Sequence, residues 1–353
     1  MRFHLTDEQE DMQEVITGAV RTALPADDLS AVLDAPSGMH APVWDAIMRL
    51  GIAGMLVAEE YGGGGMSIVD AAVVMEALGA VAAPGPFLGQ VMAAYALAAS
   101  EDHGLRQEWL PSVLTGETKA TVAFGDSWLP STWVATEEYG AVNGNLGFVL
   151  GGDVADLYVV GLRGGDLALV ERGNARVEEL QCVDRTRRLS RVRFAGAPGS
   201  PLCGPHAADR LTDIALMLVA ADALGGAGTS FRMACQYATV REQFGVPIAR
   251  FQAVKHQLAG MAIEVEPARA LVWYAAYALE RNFGESARLA SHAKAHLADR
   301  FTSVTRSAIR VHGGIGYTWE YPLQVYYRRA LFDHAYLGEP TVHRERVASL
   351  SSW

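Results

Sequence analysis

The sequence predicts an α+β protein in which an N-terminal helical domain, a middle β domain and a C-terminal helical bundle follow one another. The first part of the chain, to about residue 115, carries long stretches of helical apolar periodicity. Short alternating or apolar runs, separated by Gly, Asn and Asp, then extend from about 118 to 205. Long helical periodicity returns from about 206 to the end. We therefore expect domains at 1–117, 118–205 and 206–353.

In the N-terminal segment, Thr6 precedes an acidic first turn and is the expected N-cap of the first helix, with Gln9 or Glu10 facing back toward it. The stretch from Glu59 to Gly65 ends in four consecutive glycines, which could cradle a phosphate group. No Lys-Ser/Thr pair follows and no apolar strand precedes, so we interpret the stretch as a turn between helices. Further helices are expected at 43–50, with a stop at Gly51, and at 71–80 and 90–99.

The middle segment is rich in β-forming residues and suits a small β-barrel or sandwich. Its expected strands are 121–124, 147–150, 157–160, 167–170 and 191–194. The C-terminal segment returns to apolar periodicity over much longer windows. Its expected helices are 207–241, 252–282, 286–311 and a terminal one from about 341.

Composition restricts the class of protein. At 353 residues, the chain is long enough for two or three domains with ample core. The net charge of −11 argues against a nucleic-acid binder and for a soluble protein. The acidic stretch 7–14 argues against a signal peptide, and we expect no apolar run of membrane length. The scattered cysteines lack metal-binding spacing and fit a reducing cytoplasm: Cys182, Cys203 and Cys235.

One stretch, 241–262, joins two long apolar-periodic segments and is expected to be a helix end, a short loop and a new helix. Gly245 can adopt positive φ where the first helix stops. Arg241 offers a permanent forked cation that suits a pyrophosphate. Phe244 could cover an aromatic ring, and Gln252 offers an amide to a sugar or a base edge. The same residues also fit an ordinary helical hairpin with a surface arginine and a buried phenylalanine.

This stretch resembles the RxxFG…FQ segment of the acyl-CoA dehydrogenase family, which contacts the FAD of a neighbouring subunit there. A second stretch, Arg310 to Tyr317, is similar to a family element whose paired glycines let backbone approach the dinucleotide closely, although a Gln is common at the first position. The resemblance covers nearly the whole chain and implies the family's fold, with a middle β-barrel, and an FAD cofactor. The cofactor-binding residues that it implies are Arg241, Gln243, Phe244, Gln252, Arg310, Val311, Gly313 and Gly314.

The reaction that this resemblance implies is α,β-desaturation of an acyl-CoA thioester. A carboxylate removes the α-proton while the β-hydrogen leaves as hydride to the flavin. In most members the base is a Glu in a Tyr-Glu-Gly-Thr-like turn before the last helix, where this chain has Leu337 between Tyr336 and Gly338. Other members place the base early in the long helix before RxxFG, and that position is Ala215. Neither residue can accept a proton.

Three other polar residues could belong to the site. Glu339 lies two residues past the usual base position, so a small shift of the turn could make it the catalytic residue. Alternatively it is a solvated turn residue that caps the last helix, whose N-terminus favours an acid. Asp222 is either a helix-face charge or a pocket acid, and His312 is expected to be a packing residue.

The middle domain departs from the family pattern as well. The stretch 123–126 stands where members carry a Thr-Glu-Pro-Gly-rich loop. Phe148 replaces the Trp, and Leu150 the Thr, of the strand that hydrogen-bonds the flavin edge in the family. The half of the site that would hold the chain's own flavin is therefore altered, whereas the half that reaches a neighbour's FAD is retained.

This split favours a subunit that depends on a partner. Some short actinobacterial members resemble this chain and pair with a base-bearing subunit as α2β2 complexes acting on steroid-derived acyl-CoA. The stretch from Leu337 to Arg344 is similar to that branch. We therefore expect an FAD-dependent acyl-CoA dehydrogenase whose partner supplies the catalytic Glu. Two alternatives remain. The chain could be a self-sufficient dehydrogenase with Glu339 as its base, for example as a homo-oligomer, or it could be a non-catalytic structural paralogue.

Overall fold

The computed structural model describes residues 4–25, 28–29, 39–125, 129–319 and 321–351. Its order of helices, strands and helices confirms the predicted fold class. The α-helices are α1 (Asp7–Ala23), α2 (Ala41–Arg49), α3 (Ile68–Ala80), α4 (Phe87–Ala98), α5 (His103–Thr115), α6 (Pro205–Val240), α7 (Gln252–Glu280), α8 (Ser286–His312), α9 (Leu323–Ala335) and α10 (Pro340–Ser349). The strands are β1 (Ala120–Ala123), β2 (Thr136–Glu138), β3 (Ala141–Leu150), β4 (Leu157–Gly161), β5 (Leu167–Glu171), β6 (Ala175–Leu180), β7 (Leu189–Pro198), β8 (Ser200–Cys203), β9 (Glu242–Gln243) and β10 (Val246–Pro247).

The chain divides into two compact units, each assembled from segments that are distant in sequence. The helical unit comprises Met1–Leu33, Ala72–Ala83 and Met217–Trp353. The sheet unit comprises Asp34–Ala71 and Pro84–Leu216. The boundaries at 117/118 and 205/206 follow the types of element along the chain, and they stay a prediction.

The local signals at the N-terminus have the structures that the sequence predicts. The Thr6 hydroxyl accepts a hydrogen bond from the backbone of Gln9, and the Gln9 side chain accepts one from the backbone of Thr6, which makes a capping box. Gly51 follows α2 with a φ of 76°. Gly63 lies in a tight turn, because a Cβ there would be 2.1 Å from the carbonyl oxygen of Val57. Backbone packing explains that glycine without a phosphate.

The eight strands of the sheet unit form two four-stranded sheets with the orders β1-β4-β5-β8 and β2-β3-β7-β6. The pairing of β1 with β4 is parallel, and the other pairings are antiparallel. The middle β-barrel implied by the family resemblance is wrong in this respect, because no continuous ladder closes the sheets within the described residues. Side chains from both sheets form one core that includes Leu146, Tyr158, Val160, Val192 and Phe194.

Glycines let α3 approach α6 closely within the helical unit. A Cβ on Gly79 would lie 2.1 Å from the carbonyl oxygen of Asp222, and one on Gly225 would lie 1.9 Å from that of Glu76. Gly226 in turn leaves room for the ring of Phe301 on α8, 2.3 Å from a Cβ at that position. This contact brings two acids, Glu76 and Asp222, into the packed interior of the unit, where each is at most 5% exposed.

Helix α6 is long and apolar enough to cross a membrane, contrary to the expectation from the sequence that no run of that length occurs. Its most apolar window has a mean hydropathy of 1.5, and 89% of that window is buried within the protein. The small residues Ala, Gly and Ser that recur along the helix permit this dense burial. Among the described helices it is the one with this property, and its burial is that of a core helix.

Candidate functional site

The short loop that the sequence predicts between two helices is a tight β-hairpin at the end of α6. Strands β9 and β10 pair with Gln243 opposite Val246, and the two residues between them, Phe244 and Gly245, have φ values of 55° and 78°. Two successive positive φ values are typical of the type I′ turn that joins short antiparallel strands. The positive φ predicted for Gly245 is confirmed. The signal that was missed is the glycine as second residue of a two-residue loop.

Phe244 at the tip of this hairpin combines two costly features. It is a non-glycine residue in the left-handed region, and its side chain is 93% exposed. Its ring contacts only one aromatic neighbour in the described chain, Phe251, edge to face at 6.0 Å. The buried phenylalanine of the alternative interpretation is therefore wrong, whereas its surface arginine is confirmed. Unusual backbone geometry of this kind is found where a side chain is positioned to bind something.

The polar side chains around the hairpin point to solvent. Arg241 is exposed, and within the described residues its guanidinium has no ion pair or hydrogen bond. Gln243 donates to the carbonyl of Glu242 at 2.8 Å, and Gln252 lies 3.2 Å from Nε2 of His256. These contacts are local and leave amide atoms of both glutamines available. An exposed, unpaired arginine beside an exposed aromatic ring suits an anionic ligand that also carries a flat ring.

The glycine pair after α8 is exposed and unobstructed. Gly313 needs positive φ, at 65°, because it ends the helix. A Cβ on Gly313 or on Gly314 would meet no atom within 4 Å, whereas one on Gly316 would lie 2.9 Å from the carbonyl oxygen of Ile309. Internal packing therefore explains Gly316 but not Gly314. Of the other predicted residues here, Arg310 is exposed and Val311 is 9% exposed.

His312 is a packing residue, as the sequence predicts. It is 3% exposed, and its ring stacks on Tyr237 with centroids 4.3 Å apart. Its two ring nitrogens lie 2.8 Å from the carbonyl of Ala308 and 3.0 Å from the hydroxyl of Tyr321. Burial lowers its pKa. The ring thus holds the end of α8, just before the open glycine pair.

The turn between α9 and α10 carries the usual base position and is held from inside the helical unit. Leu337 is 9% exposed with a φ of 58°, and Gly338 follows with a φ of 103°. The ammonium group of Lys294 donates to the carbonyls of Asp333 at 2.7 Å and Gly338 at 3.0 Å. Nε2 of His343 lies 3.0 Å from the carbonyl of Leu337. The backbone of the turn is therefore fixed although its central side chain is aliphatic.

The two groups that hold this turn are strongly desolvated. Lys294 is 1% exposed, and burial lowers its pKa to about 8. His343 is fully buried, and burial together with the nearby charge of Lys294 lowers its pKa to about 3. Neither residue was predicted from the sequence. One signal was available, because Lys294 is among only three lysines in the chain and lies between two alanines on the apolar face of α8.

The positions that could carry the proton acceptor differ in exposure and in chemistry. Glu339 is exposed at the N-cap position of α10, but its side chain makes no capping hydrogen bond. Its predicted position at the helix start is therefore confirmed, while its carboxylate stays in solvent. Ala215, in the sheet unit, is 1% exposed and has no ionisable group. Asp222 is a buried ion-pair partner of Arg329, at 3.2 Å, rather than a surface charge or a free pocket acid.

The strand that would face the chain's own flavin lacks the family's polar groups. Phe148 is 54% exposed and has a φ of 54°, at a register shift between Leu146 and Val149. Leu150 is fully buried, and its carbonyl accepts a hydrogen bond from the hydroxyl of Thr121 at 2.6 Å. Of the preceding stretch, Phe124 stacks on Trp133 at 5.1 Å, whereas position 126 lies outside the described residues.

Comparisons with known proteins identify relatives over the full length of the chain. Two family models match, the N-terminal domain of acyl-CoA dehydrogenase over residues 6–117 and its C-terminal domain over 206–350. Acyl-CoA dehydrogenase IpdE2 of Mycolicibacterium smegmatis is 29% identical over 345 residues, which covers 97% of this chain and 98% of IpdE2. Acyl-CoA dehydrogenase FadE34 of Mycobacterium tuberculosis is 32% identical over 98% of this chain but only 48% of its own length.

Solved structures agree with these matches. A chain of the ChsE4–ChsE5 complex from Mycobacterium tuberculosis superposes with a TM-score of 0.89 and 25% identity, covering 99% of this chain and 98% of that one. A chain of a variant of the Tcur3481–Tcur3483 steroid ACAD superposes with a TM-score of 0.88 and 25% identity, covering 98% and 97%.

Proposed function

Because the chain belongs to the acyl-CoA dehydrogenase family of flavin-dependent oxidoreductases that act on acyl-CoA, we propose that it is one subunit of a hetero-oligomeric dehydrogenase whose other subunit supplies the catalytic base. Its substrate would be an acyl-CoA thioester with a steroid-derived or other lipid acyl group. The net charge of −11 and the three free thiols support a cytoplasmic location.

The observation that carries this proposal is the aliphatic base position. Removal of an α-proton requires a carboxylate held against the substrate, and this step contributes about 10²–10⁴ to the rate. Leu337 is buried and cannot ionise, and the alternative position is a buried alanine, Ala215. The turn around Leu337 is nevertheless held by two buried side chains, Lys294 and His343. The chain therefore keeps the fixed turn that would position a base but has no carboxylate at that position.

Exposed elements of the helical unit supply groups that fit the cofactor. The Arg241 guanidinium is free to bind a pyrophosphate, and Phe244 presents an uncovered ring. Gly314 leaves a space that a side chain would fill, so backbone can approach a dinucleotide there. Gln243, Gln252 and Arg310 would add polar contacts. When bound, FAD would accept the β-hydrogen as hydride, and these residues would hold its ADP part in a partner's site.

The relatives support a partnered assembly. One of the similar structures is a complex of two differently named chains, ChsE4 and ChsE5, and another is a steroid dehydrogenase with two named components. FadE34 is about twice as long as this chain, since the match covers 98% of one and 48% of the other. A segment like this one therefore also occurs joined to further polypeptide in a single protein. An α2β2 arrangement with a base-bearing subunit accommodates these facts.

Co-expression with the neighbouring dehydrogenase gene tests the proposal. The full chain should be colourless when it is produced alone and should form a yellow, substrate-bleachable complex with a base-bearing partner. A chain that is yellow alone, and bleaches with an acyl-CoA, would instead be self-sufficient, with Glu339 as the first candidate base. A complex that stays colourless would indicate a structural paralogue. Visible spectra and gel filtration of the two preparations distinguish these three outcomes.

A further inference from the structure

A cleft in the helical unit combines three arginines with one buried acid, and none of its lining residues belongs to the hairpin, the glycine pair or the base turn. It lies between α1, α3, α6 and α7 and has a volume of about 650 Å³. Ala77, Ala80 and Leu224 form an apolar part of its lining, beside the indole of Trp273. Such a mixture of apolar wall and a few convergent polar groups is characteristic of small-molecule sites.

The deepest charged group in the cleft is already paired. Glu76 is 5% exposed, and its carboxylate accepts a hydrogen bond from Arg269. Burial raises the pKa of Glu76, and the guanidinium of Arg269 opposes that shift. Arg269 also lies over the ring of Trp273, 5.8 Å from its centroid. Arg269 thus satisfies one oxygen of the Glu76 carboxylate beside the aromatic wall, whereas the other, Oε2, is buried without a hydrogen-bond partner among the described residues.

Two further arginines on the cleft, Arg232 and Arg21, form no ion pair with a carboxylate of the described residues, although the charge of Glu76 acts on Arg232. Arg232 donates to the hydroxyl of Thr229 at 2.7 Å, and burial lowers its pKa. Arg21, in the last turn of α1, makes no ion pair or hydrogen bond with the described residues. Arg21 and Arg232 line the same cleft, and the positive charges of Arg269 and Arg21 contribute to the lowered pKa of Arg232. Arg232 is exposed, and its hydrogen bond within the described residues goes to a neutral hydroxyl, so its guanidinium has donors left for an incoming anion.

Two acidic residues of α1 on the cleft limit the charge of an anion that could bind there. Glu10 and Glu14 line the cleft from α1, so a multiply charged anion would meet repulsion there. A single carboxylate on Arg232 and Arg21 leaves the remainder of a ligand against Ala77, Ala80, Leu224 and Trp273. We propose that this cleft binds an organic monocarboxylate with an apolar or aromatic body, its carboxylate held by Arg232 and Arg21.

Calorimetric titration of the full chain, alone or in its complex, with 3-phenylpropionate tests this assignment. The neutral isostere 3-phenylpropanamide has the same body without the charge, and inorganic phosphate has the charge without the body. We expect the carboxylate to bind in the millimolar range or tighter, and both comparison compounds to bind at least about tenfold more weakly. Equal binding of acid and amide, tighter binding of phosphate, or no heat with any of the three would overturn the proposal.

Arginine variants locate the carboxylate. Arg232→Gln should weaken 3-phenylpropionate binding about tenfold or more, since a charge-assisted hydrogen bond is lost. Arg21→Gln should weaken it as well, and because both arginines are exposed we expect both variants to keep their fold. Arg281→Gln is the matched control, because Arg281 is exposed at the C-cap of α7 outside the cleft. Unchanged affinity in both cleft variants, or an equal loss in the control, would refute the site.

Discussion

Arg329 donates two hydrogen bonds to the carboxylate of Asp222, at 3.2 and 3.3 Å, between side chains that are 1% and 0% exposed. The same guanidinium donates to the carbonyl of Ala83 at 3.0 Å. A buried ion pair recovers its desolvation cost only when its remaining hydrogen bonds are also made. Asp222 is thereby committed to the interior of the helical unit, and it is not available as a proton acceptor.

Breaking this pair should be costly, because it leaves one buried charge uncompensated. We expect Arg329→Met to lower the free energy of unfolding by about 3–5 kcal/mol. The double variant Arg329→Met, Asp222→Leu should recover much of that loss, since packed apolar side chains replace buried pairs well. Urea denaturation of the two variants and the parent measures this. A single variant as stable as the parent would contradict the structural assignment.

Arg241→Ala should weaken FAD binding in the assembled complex without unfolding the chain. Arg241 is exposed and unpaired in the described structure, so the chain loses no internal contact. A charge-assisted hydrogen bond to a pyrophosphate is worth about 1.5–3 kcal/mol, which corresponds to a loss of affinity of about tenfold to a hundredfold or more. Flavin content after gel filtration at limiting FAD measures the effect. Arg163→Ala, an exposed arginine of the sheet unit, is the control, and equal flavin retention in both would count against the assignment.

Gly314→Val should leave the chain folded but abolish flavin retention by the complex. Within the chain itself a side chain at this position meets no atom within 4 Å. The substitution therefore fills only space that we assign to the cofactor. Gly173→Val is the matched control, because a Cβ at Gly173 also meets nothing. Normal flavin stoichiometry in Gly314→Val would exclude a close approach of the cofactor at this glycine.

Glu339→Gln distinguishes a partner's base from a base in this chain. The substitution keeps size and polarity and removes the ability to accept a proton. Since the Glu339 carboxylate is exposed at the start of α10, we expect turnover of the complex to stay nearly unchanged. If Glu339 were the base, kcat would fall by about 10²–10⁴ with flavin and substrate still bound. Stopped-flow reduction of the flavin gives the decisive rate.

The reciprocal substitution, Leu337→Glu, should restore little activity. Leu337 is buried, and a carboxylate there would carry a desolvation cost. Leu150 and Phe148 would still leave the flavin edge without the groups usual in the family. We therefore expect a less stable chain and no gain in flavin reduction when it is produced alone. A yellow, active Leu337→Glu chain would indicate that only the carboxylate is missing.

His343 should make the chain sensitive to acid. Its pKa is lowered to about 3 in the fold, whereas an unfolded histidine titrates near 6.5. Between these pH values the unfolded state therefore binds one more proton than the folded state. The contribution of neutral His343 to the free energy of unfolding is complete above about pH 6.5 and is lost as the pH falls toward 3. The slope reaches about 1.4 kcal/mol per pH unit. Denaturation of His343→Gln between pH 7 and 4, measured against the exposed-histidine control His256→Gln, should show a flatter dependence.

The elements whose signal is local were predictable from the sequence. The capping box at Thr6 and Gln9 uses residues three apart, and the stop at Gly51 depends on one backbone angle. The long helices were predicted because their periodicity extends over many turns. Strand β3 was predicted too short, since the shift of register near Phe148 interrupts the period of two by which strands are identified.

The missed parts of the site depend on contacts distant in sequence. Lys294 reaches the carbonyl of Gly338 across 44 residues, and no local pattern encodes that distance. The sequence does not distinguish a helix-face charge from a pocket acid at Asp222, because the partner of this residue, Arg329, is 107 residues away. The strand pattern suits a barrel or a sandwich equally, because strand sequences do not specify whether two sheets join at their edges. The resemblance favoured the barrel. The exposure of the Phe244 side chain could not be predicted either, because phenylalanine is usually buried.

The hairpin tip has a consequence for how the protein is made. Phe244 presents almost its whole ring to solvent, and other large apolar side chains of the helical unit are also more than half exposed: Val240, Ile263, Tyr317 and Trp319. Unassembled copies would offer these residues to each other and to chaperones or proteases. If the proposed partner covers these residues, cells that make this chain in excess of that partner should degrade or aggregate the surplus. Matched synthesis of the two subunits would then set the amount of enzyme.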